Sequence, residues 1–282
     1  MLEKNHNFLN KICNFIFLIN HILRLKMSNS QNGYTVNTYL IERLHNAGIE
    51  HLFGVPGDYV LDFLDEVTKS PIKWIGNCNE LNAGYATDGY ARVRGLGAVV
   101  VTYGVGGFSV LNAVAGAYAE QVPMIVISGA PHSARRQANA LVHHLTKDYM
   151  LQYDIYKKIT VDAATLVNSH TAPDEIDRVI KSCIQHKRPV YIELPLDVGK
   201  MPCRAPQPID FNFDYKSNPD ILSECIADTI EILDKAENPV VLIGVELLRF
   251  GLTKEALNLV EKLELPFATT VSSKSALPEL HP

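Results

Sequence analysis

The stretch that decides the fold is Ile72-Lys73-Trp74-Ile75, a four-residue turn, and then Glu80-Leu81-Asn82-Ala83-Gly84-Tyr85-Ala86-Thr87-Asp88-Gly89-Tyr90-Ala91-Arg92. The first part reads as a short, mostly apolar strand and the last as a helix rich in small residues. A strand feeding a helix through a short turn is the building unit of a parallel α/β sheet. In such sheets ligands bind outside the carboxyl ends of the strands, so the turn that ends in Glu80 is a candidate site. A carboxylate there acts as a base, as a hydrogen-bond acceptor or only as a helix-start residue. The stretch by itself leaves all three open.

The same rhythm extends in both directions. Thr35 is a fair N-cap for a helix with the apolar stripe Val36, Leu40, Ile41 and Leu44, ended by Gly48. Further strands are predicted near His51–Val55, Ala98–Tyr103 and Met124–Ser128, and helices over Val60–Thr68, Glu80–Arg94 and Phe108–Tyr118. A helix from Pro173 to His186 leads into a strand, Pro189–Leu194. Val/Ile-rich strands separated by helices predict an α/β fold, a parallel sheet flanked by helices on both faces. Pro202, Pro206, Pro208 and Pro219 then mark residues 199–219 as a linker. Beyond it come a helix over Asp220–Lys235, a strand over Pro239–Ile243, a helix over Leu252–Leu263 and a strand over Pro266–Val271. The expected organisation is one α/β domain over 34–198 and a second, incomplete α/β domain over 220–282, too small for a comfortable core of its own. Residues 1–26 differ in kind. Their apolar run, Ile12 to Ile19, is too short and interrupted to span a bilayer, and no small-residue cleavage site follows it. They read first as an atypical extension, with Met27 as the working start, and otherwise as a targeting segment or a membrane-surface helix.

Of the 282 residues, 47% are apolar and 20% charged, which fits a soluble globular protein. The net charge of −5 gives no electrostatic reason to expect nucleic-acid binding. Cys13, Cys78, Cys183, Cys203 and Cys225 show no Cys-x-x-Cys spacing. That argues against a disulfide framework or a zinc site and for a reducing cytoplasm.

Three strand ends carry candidate chemistry: Gly54-Val55-Pro56-Gly57-Asp58-Tyr59, Asn79-Glu80 and Gly104-Val105-Gly106-Gly107. Parallel strands place all three on one rim. Gly104 and Gly106 permit close approach of a ligand to the backbone. The run is not a dinucleotide fingerprint, because its third glycine would fall at Ser109, and there is no P-loop. Asp58 and Glu80 fit helix-start roles as well as functional ones. His143 and His144, in a loop, suit proton transfer near neutral pH. Neighbouring side chains on regular structure point apart, which disfavours a shared metal, and no metal ligands are expected. His132, Arg135 and Arg136 read as an anion site or, more simply, as a solvated charged loop. Ala83, Gly84, Ala86, Thr87 and Ala91 form a small face suited to close packing, within the fold or against a partner subunit.

Taken together these motifs resemble one family, the thiamine diphosphate-dependent 2-keto acid decarboxylases of the pyruvate and indolepyruvate group, in their N-terminal half. The similarity runs from about Tyr34 to the end. It rests on Gly54–Tyr59, Asn79–Ala86 with Asp88–Arg92, Tyr118-Ala119-Glu120 with Val122-Pro123, Gly129-Ala130-Pro131, and His143-His144.

The resemblance implies non-oxidative decarboxylation of a 2-keto acid to an aldehyde and CO2, with thiamine diphosphate and Mg2+ as cofactors. Residues 34–198 would be the pyrimidine-binding domain and 220–282 a truncated central domain. Glu80 would touch N1′ of the cofactor's aminopyrimidine, a contact that a dry pocket favours. Asp58, His143 and His144 would complete the catalytic set, and Pro56, Gly57, Gly104 and Gly106 would line the cofactor. The histidine pair favours decarboxylation over the carboligation of acetolactate synthase relatives. Here the sequence reads His-His-Leu-Thr where relatives often read His-His-Thr-Leu. The family's Gly-Asp-Gly and Asn-Asn elements, which hold the diphosphate and magnesium in a C-terminal domain, are absent from this sequence. The family's active site forms between two subunits, so a homo-oligomer, dimer or tetramer, is implied. The expectation is a chain that alone binds cofactor weakly and is inactive. The rival reading is a non-catalytic remnant or interaction module.

Overall fold

A computed structural model of the chain describes residues 33–211, 213 and 215–281. The expectations for residues 1–26 and Met27 lie outside the described residues. Six strands form one parallel sheet: β1 (His51–Gly54), β2 (Lys73–Gly76), β3 (Gly97–Val101), β4 (Met124–Ala130), β5 (Asp162–Thr165) and β6 (Val190–Pro195). Their order is β2-β1-β3-β4-β6-β5. The register sets Phe53 against Val99, Val99 against Val126 and Val126 against Tyr191.

Side chains alternate across a strand, so each central strand feeds two cores. Ala98, Val100, Ile125, Ile127, Val190 and Ile192 pack on one face, under the helices Val36–Asn46, Leu61–Val67 and Ala172–His186. Val99, Val101, Met124, Val126 and Tyr191 pack on the other, under Glu80–Arg94, Leu111–Ala119 and Leu151–Ile159. Every residue of β3, β4 and β6 is buried, which is why these strands read as continuous apolar runs. The expected fold class is what the structure shows. The small face of the Glu80–Arg94 helix also packs within the fold: a Cβ on Gly84 would stand 2.6 Å from Val110 Cγ2 and 2.7 Å from Ala113 Cβ.

Three differences from the sequence reading have physical causes. The helix expected over Phe108–Tyr118 is two pieces, Val105–Ser109 and Leu111–Ala119. It begins early because Gly104 takes a left-handed φ of 67° and turns the strand straight into helix. The 3.4 Å bond from Val110 N–H to Gly106 O marks the break. The edge strand β5 was not legible, because Asp162-Ala163-Ala164-Thr165 buries only Ala164 and holds no Val or Ile. The helix Leu151–Ile159 was missed with it, having no side-chain cap at its start.

Beyond residue 218 the packing thins. A two-stranded parallel sheet joins β7 (Val241–Ile243) to β8 (Phe267–Thr269). Ile243, Val260, Ala276 and Leu277 form its small core, and the helix Pro219–Lys235 buries no residue. Gln121 donates to Glu246 at 2.7 Å and Arg249 donates to Glu120 O at 3.2 Å, linking this region to the main sheet's helices. No described helix is long and apolar enough to cross a membrane.

Candidate functional site

All six strands are parallel, so their carboxyl ends form one rim. From β1 the chain leads outward to β2. From β3, its other neighbour, it leads the opposite way to β4. The crevice between the ends of β1 and β3 is therefore the switch point where ligands bind in this architecture. Pro56, Gly57 and Asp58 follow β1, Gly104 and Gly106 follow β3, and Glu80 follows β2 one strand further out.

Asn79, not Glu80, caps the helix: its side-chain oxygen accepts the Asn82 N–H at 2.8 Å. The half-buried Glu80 carboxylate has no hydrogen-bonding or ionic partner among the described residues. Its Oε1 lies 3.3 Å from where a Cβ on Gly106 would stand. Thr102, just before the turn, lies against both glycine segments: a Cβ on Gly57 would stand 2.9 Å from Thr102 Oγ1, and one on Gly106 would stand 3.0 Å from Thr102 Cγ2.

Asp58 is likewise free of capping, since no side-chain cap bond forms at the 3-10 turn it opens. It pairs instead with His143 Nε2 through a hydrogen bond. Asp58 and His143 are half exposed, at 50% and 57%. The His143 ring stacks on Tyr59 with centroids 4.7 Å apart, and the Tyr59 hydroxyl donates to His143 O at 3.2 Å. Burial, then the Asp58 charge, push the Tyr59 hydroxyl's pKa up, so it remains a donor at neutral pH. His144 adopts a left-handed φ of 66°, a conformation costly for a residue with a Cβ. That twist defeats the expectation that adjacent histidines point apart: the two rings lie 4.8 Å from each other. Gly104 makes the twist possible, because a Cβ there would stand 2.2 Å from His144 O.

Three buried side-chain atoms among the described residues lack any partner: Asn37 Oδ1, Thr102 Oγ1 and His144 Nδ1. The last two belong to this rim. Asp58, His143 and His144 offer ligand atoms within 4.8 Å of one another, the only such trio of metal-ligating types among the described residues. Two imidazoles and a carboxylate suit zinc-like ions, whereas magnesium takes oxygen sets. Mg2+, which the resemblance assigns to a C-terminal domain, is not an ion that this trio suits.

Further along the rim the polar groups are paired. Glu193, its side chain 1% exposed, accepts from Arg136 at 3.0 Å and from the Tyr191 hydroxyl at 3.1 Å. Burial pushes its carboxyl above the ordinary range against the pull of Arg136. Arg136 is thus neither a solvated loop charge nor a free anion anchor. His132 accepts the Ala134 N–H at 3.2 Å and caps the helix Ser133–Gln137. A cavity of about 630 Å³ opens over this second set, beside Arg136, Tyr153, Glu175 and Arg178. Sequence reasoning passed over Glu193, though a carboxylate inside Val190-Tyr191-Ile192-Glu193-Leu194 is a visible signal. It also passed over Gln152, for which no local signal exists.

Residues 34–155 match the family described as thiamine pyrophosphate enzyme, N-terminal TPP binding domain, and residues 226–282 match thiamine pyrophosphate enzyme, central domain. The fold and these matches define the class, a thiamine pyrophosphate enzyme. Its relatives include an alpha-keto-acid decarboxylase of Mycobacterium leprae, 43% identical over 88% of this chain and 44% of that protein. A pyruvate decarboxylase of Aspergillus parasiticus is 38% identical over 86% of this chain and 43% of that protein. Pyruvate decarboxylase 3 of Arabidopsis thaliana is 39% identical over 88% and 43%. The chain is thus similar to 2-keto acid decarboxylases over their N-terminal part, and it spans a little under half the length of these curated relatives.

Proposed function

We propose that the protein carries out non-oxidative decarboxylation of a 2-keto acid to an aldehyde and CO2, with Glu80, Asp58, His143 and His144 as the catalytic set contributed by this chain. The observation that carries the reading is Glu80: a carboxylate at the switch-point rim, relieved of capping by Asn79 and without a partner among the described residues. Thiamine diphosphate, when bound, supplies the electron sink that a 2-keto acid needs to lose CO2.

The residues fit the pyrimidine end of that cofactor. Glu80 offers a free acceptor, and Thr102 and His144 offer buried polar atoms that the fold leaves unpaired. Glu80 would hold a proton at the ring edge. Pro56, Gly57, Gly104 and Gly106 would wall the crevice. Asp58 and His143 share a hydrogen bond on the exposed side, a pair suited to delivering a proton to a bound substrate. Mg2+, a homo-oligomeric state and a cytoplasmic setting go with the proposal, and no step here depends on them.

The test is CO2 and aldehyde release from pyruvate, phenylpyruvate and indolepyruvate by this chain joined to the C-terminal portion of a relative, with thiamine diphosphate and Mg2+ supplied, because the chain alone is expected to be inactive. Release that disappears in Glu80→Gln is the expected outcome. Acetolactate or acetoin as the main product would shift the assignment to a carboligase. No turnover above the Glu80→Gln background would overturn it.

A further inference from the structure

We propose that Gln152 is a positioning residue for Glu80 and His144, acting through the turn Gly104–Gly107; this rests on the reading that those two residues serve one reaction. The turn touches three groups at once. Missing Cβ atoms would stand 2.2 Å from His144 O at Gly104, 3.3 Å from Glu80 Oε1 at Gly106 and 2.5 Å from the Gln152 amide at Gly107. The turn is wedged between the Glu80 carboxylate, the backbone of His144 and one amide, so a shift of the turn moves both functional residues.

Gln152 is 1% exposed. Its Oε1 accepts the Gly104 N–H at 2.7 Å, and its Nε2 donates to Ser128 Oγ at 2.8 Å and to the Tyr191 hydroxyl at 2.7 Å. Ser128 lies on β4 and Tyr191 on β6, the fully buried centre of the sheet. The amide thus clamps the turn to two rigid strands. Only an amide accepts at one end and donates twice at the other; a carboxylate cannot donate and an aliphatic chain does neither. From the next turn of the same helix Tyr156 donates to Gly107 O at 2.7 Å, a second tether on the opposite end of the turn. Misplacement of a reacting group by about 1 Å costs up to roughly a hundredfold in rate, so a clamp remote from the substrate can govern turnover.

Gln152→Met keeps an unbranched side chain and removes all three bonds. In the full protein, amide hydrogen exchange of residues 102–107 is expected to accelerate about tenfold or more while β4 and β6 stay protected. Turnover is expected to fall by about tenfold or more with KM within about twofold. Gln152→Glu keeps the oxygen that accepts the Gly104 N–H and is expected to retain protection of that amide, which separates the clamp from loss of packing. Gln152→Asn keeps a buried amide but falls one methylene short of Gly104, and gives the same readout if the methionine variant does not fold. Unchanged exchange over 102–107, acceleration shared equally by β4 and β6, or faster exchange with unaltered turnover would each overturn the proposal. If the unmodified protein releases no CO2, the reaction assignment fails, while the exchange data still decide whether Gln152 holds the turn.

Discussion

Two halves of one sheet edge differ in how their polar groups are treated. Along β4 and β6, Ser128, Gln152, Tyr191, Glu193 and Arg136 are joined in one run of hydrogen bonds that reaches the rim, and Glu193 has a counter-charge. At the ends of β2, β1 and β3, Glu80 has no partner among the described residues, and Thr102 Oγ1 and His144 Nδ1 are buried without one. A buried unpaired polar group costs about 1–3 kcal/mol, so folded proteins keep few of them. The same backbone architecture supplies both edges, so the difference lies in the side chains. One edge spends its hydrogen bonds on rigidity and the other holds them for something outside the fold. On our proposal the first is scaffold and the second is site.

Four experiments test that contrast. The largest effect is expected for Glu80→Gln, with CO2 release falling by about 10²–10⁴-fold. Its unfolding free energy should stay within about 0.5 kcal/mol of the parent, because no protein contact is lost. Near-normal turnover would erase the functional half of the contrast. On the paired edge, Arg136→Met leaves Glu193 buried without its counter-charge. With Arg136 22% exposed, a loss of about 2–3 kcal/mol is expected near pH 7.5 by chemical denaturation. The sign of its pH dependence follows from burial. The folded carboxyl of Glu193 already lies above its ordinary value, and losing the arginine raises it further. A group raised in the folded state contributes stability below its unfolded value and loses it as pH rises through the folded value. The deficit should therefore shrink toward pH 5 and be largest near pH 8. Equal deficits at both would contradict the buried-charge account.

Asp58→Asn is expected to slow turnover by about tenfold to a hundredfold. Because the Asp58–His143 pair is half exposed, it should alter stability by less than about 1 kcal/mol. The smallest effects give the sharpest contrast. Thr102→Val removes a hydroxyl without a partner among the described residues and should be neutral or stabilising by up to about 1 kcal/mol. Ser128→Ala removes a hydroxyl that the Gln152 amide uses and should cost about 1 kcal/mol. Thermal melts of the two variants moving in the same direction would show that the two edges are not treated differently.

Much of the fold was legible because it depends on local periodicity. The helix over Glu80–Arg94 begins and ends at the residues the pattern indicates, and the Val/Ile-rich strands lie within a few residues of expectation. What escaped was weakly patterned: β5 with its two alanines, and the uncapped helix Leu151–Ile159 that carries Gln152. The candidate site followed the same division. Glu80, Asp58 and the glycine turn stood out because strand ends of a parallel sheet share an edge.

By itself the sequence determined the α/β alternation, the shared rim and the family, since apolar period and motif order are properties of the chain read in line. Only the tertiary structure decided that Asn79 takes the cap from Glu80, that a left-handed His144 brings two neighbouring rings together, and that Gln152 reaches Gly104 across 48 residues. Hydrogen bonds are short and directional, and which groups meet within 3 Å depends on how helices and strands pack. No linear pattern specifies that.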